Sequence, residues 1–466
     1  MKTTGSQAAA VVRIASGRAC RARSELLGVL RSCFARTQTW LRAGRYVDAL
    51  VSELPMRNGW TIAEQAGERS PDGMQRLLSR ASWDDDAAMS VVRRYAVAGL
   101  DAAARCHRRR RLAVGALDET GQAKQGAATA GVKRQYMGCA GRVANGINTV
   151  HLSYVRARTG HALIGARQWI PAEDIADTTR SAATGLPAGL EFATKGQLAI
   201  ELLADAYADG VVFDFVCGDE VYGSCTRLRE FLQERGQAYV LRLASSFMLT
   251  LAPGTTMTCA QAVTKLLKDN QRWEVRSAGH GSKGQRWYAW ALLATDSPQH
   301  HLLIRRHLIT GELAFHYCYL PDGQQAGMTV LIQAAGLRWP IEEGFEFAKD
   351  YFGLDQCQAR LHTAIRRHLV LVMAALSICA VTAAHLRHHT DRQPPPPVHP
   401  DQTPPADPGL IPLTVHEIKR LLGRALHRPV PPWLANHWLH WRRRHQARAR
   451  WHHQRTRLAR DYALVR

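Results

Sequence analysis

The amino-acid sequence predicts an α/β fold in which a core of strands and helices lies between helical segments at the two ends of the chain. Two observations lead to this prediction. Apolar runs of strand length alternate with a helical segment between residues 112 and 220, and strands with hairpin spacing follow them. Helical periodicity occupies residues 25–95 before this region and residues 328–388 after it.

The charge balance indicates a polyanionic partner. The 466 residues contain 61 Lys and Arg against 39 Asp and Glu, which gives a formal net charge of +22 at pH 7. Nucleic acid is the usual partner of such an excess of positive charge. The alternative is a soluble protein from a GC-rich genome that favours arginine. A chain of this length is expected to hold two to four domains.

Cysteine usage and apolar runs predict a cytoplasmic, nucleoid-associated protein with no membrane contact. The ten cysteines form no CxxC pair, which is typical of reduced intracellular proteins and argues against a structural zinc site. Residues 1–24 are small, polar and basic, and we expect them to be disordered or extended. Arg13 and Arg18 interrupt any secretory signal. The run from Leu369 to Ala384 is too short to span a bilayer and predicts a buried helix.

A helix-turn-helix is predicted between Trp60 and Trp83. The pattern gives one helix, a break at Gly67, and a second helix that has Ser70 as its cap and Pro71 as its first residue. Gln75, Arg76 and Arg80 would lie on the exposed face of the second helix, where they could contact DNA. A plain helical hairpin is the alternative.

Strands are predicted for LAVGALDET, GVKRQYMG, INTVHLSYVRARTG and VVFDFVCGDE, with a helix at residues 195–209 before the last of them. Four or five further strands follow, and the last hairpin turns at Thr310-Gly311. After residues 391–408, which are rich in proline, a helix capped by Thr414 leads into an arginine-rich tail. Arg442, Arg443 and Arg444 of this tail are expected to contact phosphates, unless the tail is only a solvated helix face.

Two apolar strands end in acidic pairs, Asp118-Glu119 and Asp219-Glu220. Side chains alternate between the faces of a strand, and the equivalent placement of the two aspartates favours them over the glutamates. On a later helix Glu342 shares a face with Arg338 and Lys349, whereas Glu343 points about 100° away.

Carboxylates in this order suit two Mg²⁺ (or Mn²⁺) ions that promote phosphodiester displacement, while Arg338 and Lys349 hold DNA phosphates. Taken singly, an acidic pair at a strand end or a helical glutamate of this kind more often forms a surface salt bridge. The expected catalytic and metal-binding residues are Asp118, Asp219 and Glu342.

Several segments together resemble the transposases of the insertion-sequence 701 family, within the wider insertion-sequence 4 group. They are RNGWTIAEQAG, MQRLL, LDETGQAKQG, AGVKRQYMGCAGRVANG, FATK, GDEVYG, AGHGSKGQRWYAWA, RWPIEEGFEFAKDYFGLDQ, LIPLTVHEIKRLL and WRRRHQARAR. The resemblance implies a ribonuclease-H-like core with an Asp-Asp-Glu triad and a β-rich insertion before the glutamate. Arg338, Glu342 and Lys349 fit the Tyr-Arg-Glu-Lys signature of the wider group, but Ala335 stands at the tyrosine position. Gln122 and Lys124 also depart from the usual pattern.

The resemblance and the pattern of elements together predict the domain organisation. The segments are an N-terminal stretch (1–24), a helical DNA-binding domain (25–105), the first part of the ribonuclease-H-like core (106–224), a β-rich insertion (225–327), the helical part of the core (328–390), a proline-rich linker (391–408) and a basic helical tail (409–466).

The function that the resemblance implies is that of a DNA transposase. Such an enzyme binds the inverted-repeat ends of its own element as a homodimer on double-stranded DNA, cuts each end and joins it to target DNA. The alternatives are a decayed or domesticated DNA-binding protein and a nuclease that only hydrolyses. Trp287, Trp290 and Trp339 could stack on a base beside the cut, although we expect two of the three to be core residues.

Overall fold

The computed structural model describes residues 2–105, 111–252, 254–281 and 284–464, and for residues 2–8 and 462–464 it describes the backbone alone. The helices in this part of the chain are α1 (Lys2–Leu30), α2 (Thr37–Val51), α3 (Gly59–Gln65), α4 (Asp72–Ser79), α5 (Asp85–Ala104), α6 (Ala172–Ala176), α7 (Thr178–Thr184), α8 (Lys195–Ala208), α9 (Glu220–Gly223), α10 (Thr226–Glu234), α11 (Cys259–Leu266), α12 (Met328–Gly336), α13 (Pro340–Phe352), α14 (His362–Thr390), α15 (Val415–Ala425) and α16 (Pro432–Leu464). The strands are β1 (Ala113–Ala123), β2 (Lys133–Met137), β3 (Arg142–Arg156), β4 (Gly160–Trp169), β5 (Phe215–Gly218), β6 (Tyr239–Leu243), β7 (Met248–Leu251), β8 (Thr255–Thr258), β9 (Glu274–Gly281), β10 (Gly284–Ala294), β11 (His300–His307) and β12 (Leu313–Tyr319).

A large mixed sheet forms the centre of the protein. Its strands lie in the order β2-β3-β1-β5-β6-β12-β11-β10-β9, and β4 also pairs with β3. Strand β1 is antiparallel to β3 and parallel to β5, and β5 is parallel to β6. The mixed α/β class predicted from the sequence is confirmed.

Helix α14 is the main core helix. Almost all of its residues from Ala364 to Ala384 are buried, and it packs against α1, α2, α5 and β4. Among the described residues, α14 is the one helix that is long and apolar enough to cross a membrane, but 94% of its most apolar 18-residue stretch is buried inside the protein. The prediction of a buried core helix over Leu369–Ala384 is therefore confirmed.

The described part of the N-terminal segment belongs to the helix α1, so the prediction that residues 1–24 are disordered or extended is wrong for residues 2–24. Ala15, Ala19, Ala22 and Leu26 of α1 are buried and recur at helical spacing. They form a narrow apolar stripe that packs on α14 and α15. Small alanine side chains let α1 approach these helices closely, and the basic residues between them obscure the stripe in the sequence.

The helical pair predicted near Trp60 is present as α3 and α4. The Asn58 side chain caps α3 by accepting hydrogen bonds from the backbone of Trp60 and Thr61. Gly67 lies in the turn with a φ of +80°, a conformation that favours glycine. The second helix begins one residue later than predicted, at Asp72, because Pro71 rather than Ser70 occupies the N-cap position, and it has no side-chain cap hydrogen bond.

Most predicted strands are present, with three differences. The run of residues 211–220 is extended only at Phe215–Gly218, and LRLASSFML divides between β6 and β7. Strands β4 and β8 were not predicted; in the turn before β4 the residue with positive φ is Arg158, at +56°, rather than a glycine. The strands predicted as an insertion include β6 and β9–β12, which extend the central sheet.

The C-terminal part follows the predicted pattern. Residues 391–408 contain no helix or strand, and Gly311 turns the β11–β12 hairpin. The Thr414 side chain caps α15 and Glu417 completes the capping box. The predicted domain boundary between residues 105 and 106 adjoins residues 106–110, which lie outside the described residues.

Candidate active site

The two predicted aspartates lie at the end of the ladder between two parallel strands. The ladder between β1 and β5 ends at the pair Leu117 and Gly218, and an aspartate follows each of these residues. Asp118 is still within β1, whereas Asp219 lies just beyond β5 and caps the short helix α9 by accepting a hydrogen bond from the backbone of Val221 at 2.9 Å. The parallel register therefore brings both residues to the same end of the ladder, but it does not pair them.

Arg338 connects the first aspartate to the predicted glutamate. Its guanidinium donates to Oδ2 of Asp118 at 2.8 Å and to Oε1 of Glu342 at 2.6 Å. Glu342 lies in the first turn of α13, which begins at Pro340, and Arg338 precedes it by one helical turn. Because one guanidinium contacts both acids, Asp118 and Glu342 lie at the same site although 223 positions separate them in the sequence.

Burial and mutual repulsion shape the electrostatics of this site. Burial raises the pKa of Asp118 to about 6, with Asp219 adding to the rise and Arg338 opposing it. Burial also raises the pKa of Asp219, and the nearby Glu119 adds to this effect. Although burial disfavours its charge, the pKa of Arg338 is raised by Asp118 and Glu342. The site therefore concentrates negative charge in a partly buried place.

The neighbouring glutamates are engaged elsewhere. Glu119 contacts Lys195 and Tyr222 on the opposite face of the sheet. Glu220 pairs with Arg242 at 3.1 Å, and Glu343 lies 3.2 Å from His161 of β4, which lowers the pKa of Glu343. The Lys195 and Tyr222 contacts were not predicted, although FATK and GDEVYG were recognised as motifs.

The donor chemistry at the site fits a hard divalent cation, because the three candidate ligands are all carboxylates. In this structure the guanidinium of Arg338 pairs with both Asp118 and Glu342, and its positive charge offsets the repulsion between these two carboxylates. Within the described residues, no group of three or more His, Cys, Asp or Glu side chains is gathered closely enough to hold a metal ion.

The residues that depart from the family pattern have structural partners. Gln122 and Lys124 donate to the carbonyl oxygen of Cys357 at 2.7 and 2.6 Å, which joins the end of β1 to the loop after α13. Ala335 is partly buried on α12 and packs against the main core. Gln122 in β1 and Lys124 just after it therefore hold the end of β1 against the loop that follows α13.

The prediction that two of the three tryptophans are core residues is wrong, because one of the three is buried. Trp290 is buried and donates to the carbonyl oxygen of Arg276, but Trp287 and Trp339 are 52% and 55% exposed. Trp287 and Trp290 are three residues apart on β10, so alternation places their side chains on opposite faces of the sheet, which agrees with one exposed and one buried ring. Trp339 stands directly beside Arg338.

The residues predicted to bind DNA differ in their surroundings. Arg76 and Arg80 are exposed on α4 and at its end, and Arg443 and Arg444 are exposed on α16. Arg442 is instead paired with Glu64 of α3. Lys349 is partly exposed on α13, two turns beyond Glu342.

Comparison with protein families gives two matches. A family model described as "DDE superfamily endonuclease" matches residues 29–275, more than half of the chain. A second model, described as "Transposase DDE domain", matches residues 192–378, a range that contains Asp219 and Glu342.

Comparison with individual proteins gives more distant similarities. A protein of Microchaete diplosiphon described as "Probable transposase for insertion sequence element IS701" is 26% identical over 204 residues, which are 44% of this chain. The match spans 48% of that relative's length. The cryo-EM structure of a piggyBac transposase synaptic complex with hairpin DNA is 10% identical, with a TM-score of 0.41 over 89% of this chain and 80% of that one.

Proposed function

The chain belongs to the DDE superfamily endonucleases, and from this premise we propose that it is the transposase of an insertion sequence. It binds the inverted-repeat ends of its element, cuts a phosphodiester bond at each end and joins the freed 3′-hydroxyl to target DNA. The observation that carries this proposal is that Arg338 pairs with both Asp118 and Glu342, while Asp219 lies near enough for its charge to act on Arg338. The similarity to a protein described as an insertion-sequence 701 transposase supports it.

The proposed catalytic core is ribonuclease-H-like. The order β4-β3-β1-β5-β6, with β1 antiparallel to β3 and parallel to β5, supports this assignment. The β-rich insertion then extends the core sheet beyond β6. We retain the domain boundaries predicted from the sequence with two exceptions. The N-terminal helix α1 joins the helical domain through its packing on α5, α14 and α15, and β6 joins the core, so that the insertion begins after β6.

Asp118, Asp219 and Glu342 are the proposed ligands of two Mg²⁺ or Mn²⁺ ions. Such ions, when bound, would polarise the phosphate and activate the attacking oxygen. Arg338 supplies positive charge between Asp118 and Glu342 and holds both carboxylates toward one place. In the first step the bond between phosphorus and the 3′-oxygen breaks as a water oxygen attacks, which leaves a 3′-hydroxyl on the element. In the second step that hydroxyl loses its proton and its oxygen bonds to a target phosphorus, while the bond from this phosphorus to the target's 3′-oxygen breaks and leaves a target 3′-hydroxyl.

The proposed DNA surface has two parts. Arg76 and Arg80 of α4 and the tail arginines Arg443 and Arg444 would neutralise duplex phosphates away from the cut, and Lys349 would do so beside it. Arg442 contributes by holding the tail to α3. A homodimer on DNA and a cytoplasmic location complete the proposal, the latter in keeping with the bacterial relative.

The test uses DNA that carries the ends flanking the gene. We expect wild-type protein with Mg²⁺ to release the ends and to form products joined to a second DNA, and Asp219→Ala to bind DNA without either reaction. Cleavage without joined products would favour a hydrolytic nuclease. DNA binding without cleavage by the wild type would favour the decayed or domesticated DNA-binding protein.

A further inference from the structure

The sheet itself does not hold the two aspartates together. Backbone pairing between β1 and β5 ends at Leu117 and Gly218, one residue before Asp118 and Asp219. Beyond that point β1 continues along β3, whereas the chain after Gly218 turns into α9. The separation of the aspartates therefore depends on contacts that lie beyond the ladder.

Three side chains bridge this gap. Glu119 follows Asp118, and its two carboxylate oxygens contact different elements. Oε1 pairs with the ammonium of Lys195, the first residue of α8, and Oε2 accepts a hydrogen bond from the Tyr222 hydroxyl of α9 at 2.9 Å. The Glu119, Lys195 and Tyr222 side chains thus form a cluster that ties β1 to α8 and to the helix that Asp219 caps.

Glycines let the three elements approach closely enough for this cluster to form. A Cβ atom on Gly218 would lie 2.8 Å from the Tyr222 side chain, and one on Gly223 would lie 1.8 Å from the Arg242 carbonyl oxygen. A Cβ atom on Gly196 would lie 2.4 Å from the sulfur of Cys225. Larger residues would therefore push α9 away from the sheet or α8 away from the segment that follows α9.

The cluster is also closely packed. Tyr222 is fully buried, and the side chains of Glu119 and Lys195 are only 19% and 27% exposed. A carboxylate that is buried to this extent and paired with an ammonium is held more firmly than a surface ion pair. Glu119 also stands near Asp219, so the positive charge of Lys195 offsets repulsion between the two carboxylates.

We propose that Glu119, Lys195 and Tyr222 are positioning residues that fix the distance between Asp118 and Asp219 and thereby set the metal affinity of the site. The inference rests on the proposed function, because it takes the two aspartates as metal ligands. It assigns a role to the FATK and GDEVYG segments that the catalytic triad leaves unexplained.

The experiment compares Tyr222→Phe, Lys195→Met and Lys195→Arg with the wild type. Bound Mn²⁺ is measured by electron paramagnetic resonance on the protein–DNA complex, and the rate of end cleavage is measured against Mg²⁺ concentration. Tyr207→Phe is the matched control for Tyr222→Phe, because it removes a partly buried hydroxyl that bonds to Gln237 at 3.2 Å outside the site. Lys133→Met, which breaks a pair with Glu173, is the control for Lys195→Met.

We expect Tyr222→Phe and Lys195→Met to bind Mn²⁺ about 10- to 100-fold more weakly and to need correspondingly more Mg²⁺ for cleavage. Their DNA affinity should match that of the wild type, and Lys195→Arg should recover most of the loss. Tyr222→Phe removes one oxygen atom, so it provides the test if Lys195→Met does not fold.

The inference would be overturned if Tyr222→Phe bound Mn²⁺ as tightly as the wild type, or if Lys195→Met and Lys195→Arg lost Mn²⁺ affinity equally. The proposed function would still stand in either case as long as the wild type cuts DNA. A wild type that neither binds Mn²⁺ nor cuts DNA would overturn the proposed function together with the inference.

Discussion

At the residue scale, Arg338 provides the positive charge for an otherwise acidic site. Its side chain is 18% exposed and contacts two carboxylates that are 16% and 36% exposed. Removing one partner of such a cluster leaves charges that are poorly hydrated and repel each other. A divalent cation could replace that positive charge, since the ligands are the same oxygens.

We expect Arg338→Gln to lose about 1–3 kcal/mol of stability in metal-free buffer. Mg²⁺ should then raise the melting temperature of the variant more than that of the wild type, because the cation relieves the repulsion that Arg338 otherwise offsets. Arg23→Gln is the control, since it breaks a comparably exposed pair with Asp48 far from the site. Equal stabilisation of both variants by Mg²⁺ would contradict this account of Arg338.

The buried His368 side chain should make the stability of the folded protein depend on pH, independently of catalysis. It is buried between the Tyr46 hydroxyl at 2.9 Å and the Gly353 carbonyl oxygen at 3.0 Å, and burial lowers its pKa to about 4. The unfolded chain, with a histidine pKa near 6.5, binds the proton more tightly, so stability is complete above about pH 6.5 and falls toward pH 4.

The slope expected from His368 is about 1.4 kcal/mol per pH unit within that window. Melting temperatures of wild type and His368→Gln, measured from pH 7 to pH 4, give the comparison. The variant should lose stability less steeply with acid, whereas identical slopes would show that His368 does not remain neutral in the folded protein.

At the candidate site, strand alternation and helical spacing predicted which neighbouring acidic side chains have different surroundings. Alternation along a strand separated Asp118 from Glu119, and helical spacing separated Glu342 from Glu343; the structure places the members of each pair in different contacts. The bridging of Asp118 and Glu342 by Arg338 was not predicted. It depends on how α13 is placed over β1, which no local pattern in the sequence records.

At the element scale, the tail helix α16 is docked on α3 and the turn that follows it rather than free along its whole length. Trp60 of α3 contacts the rings of Trp441 and His445, and Trp438 donates to the carbonyl oxygen of Glu68. Arg442 pairs with Glu64 in the same region. The arginines beyond this docked region are exposed, which suits contact with phosphates.

We expect replacing Arg443, Arg444 and Arg448 together with Gln to weaken DNA binding for all sequences alike. The slope of log affinity against log salt should fall by about 2–3, because each lost phosphate contact removes about 0.9. The same replacement at Arg227, Arg235 and Arg272, which are exposed outside α4 and α16, is the control. An unchanged slope in the tail variant would show that the tail is only a solvated helix.

Element boundaries were predictable where local chemistry marks them. The Thr414 cap and the Gly311 turn have sequence signatures that the structure reproduces. Helix α1 and strand β4 lacked such signatures, since α1 buries mainly alanines and β4 follows a turn with Arg158 at positive φ. Their formation depends on packing against α14 and pairing with β3.

At the scale of the whole molecule, one sheet connects the site to the inserted strands. The pairing of β6 with β12 joins residues 239–243 to residues 315–319, and through it the insertion continues the sheet that holds both aspartates. Sequence periodicity predicted these strands but could not predict their partners, because pairing over such a distance is set by the fold. The insertion is therefore expected to move with the core rather than as a separate domain.

The measurement that tests the central claim most directly is Mg²⁺-dependent cleavage of end-containing DNA by paired variants. Asp219→Asn and Glu342→Gln replace proposed ligands, and Glu220→Gln and Glu343→Gln replace their sequence neighbours, which pair with Arg242 and His161. We predict that the first two lose cleavage by at least about 100-fold while the neighbours cut near the wild-type rate. Cleavage retained by Asp219→Asn or Glu342→Gln, or lost equally in the neighbours, would contradict the account.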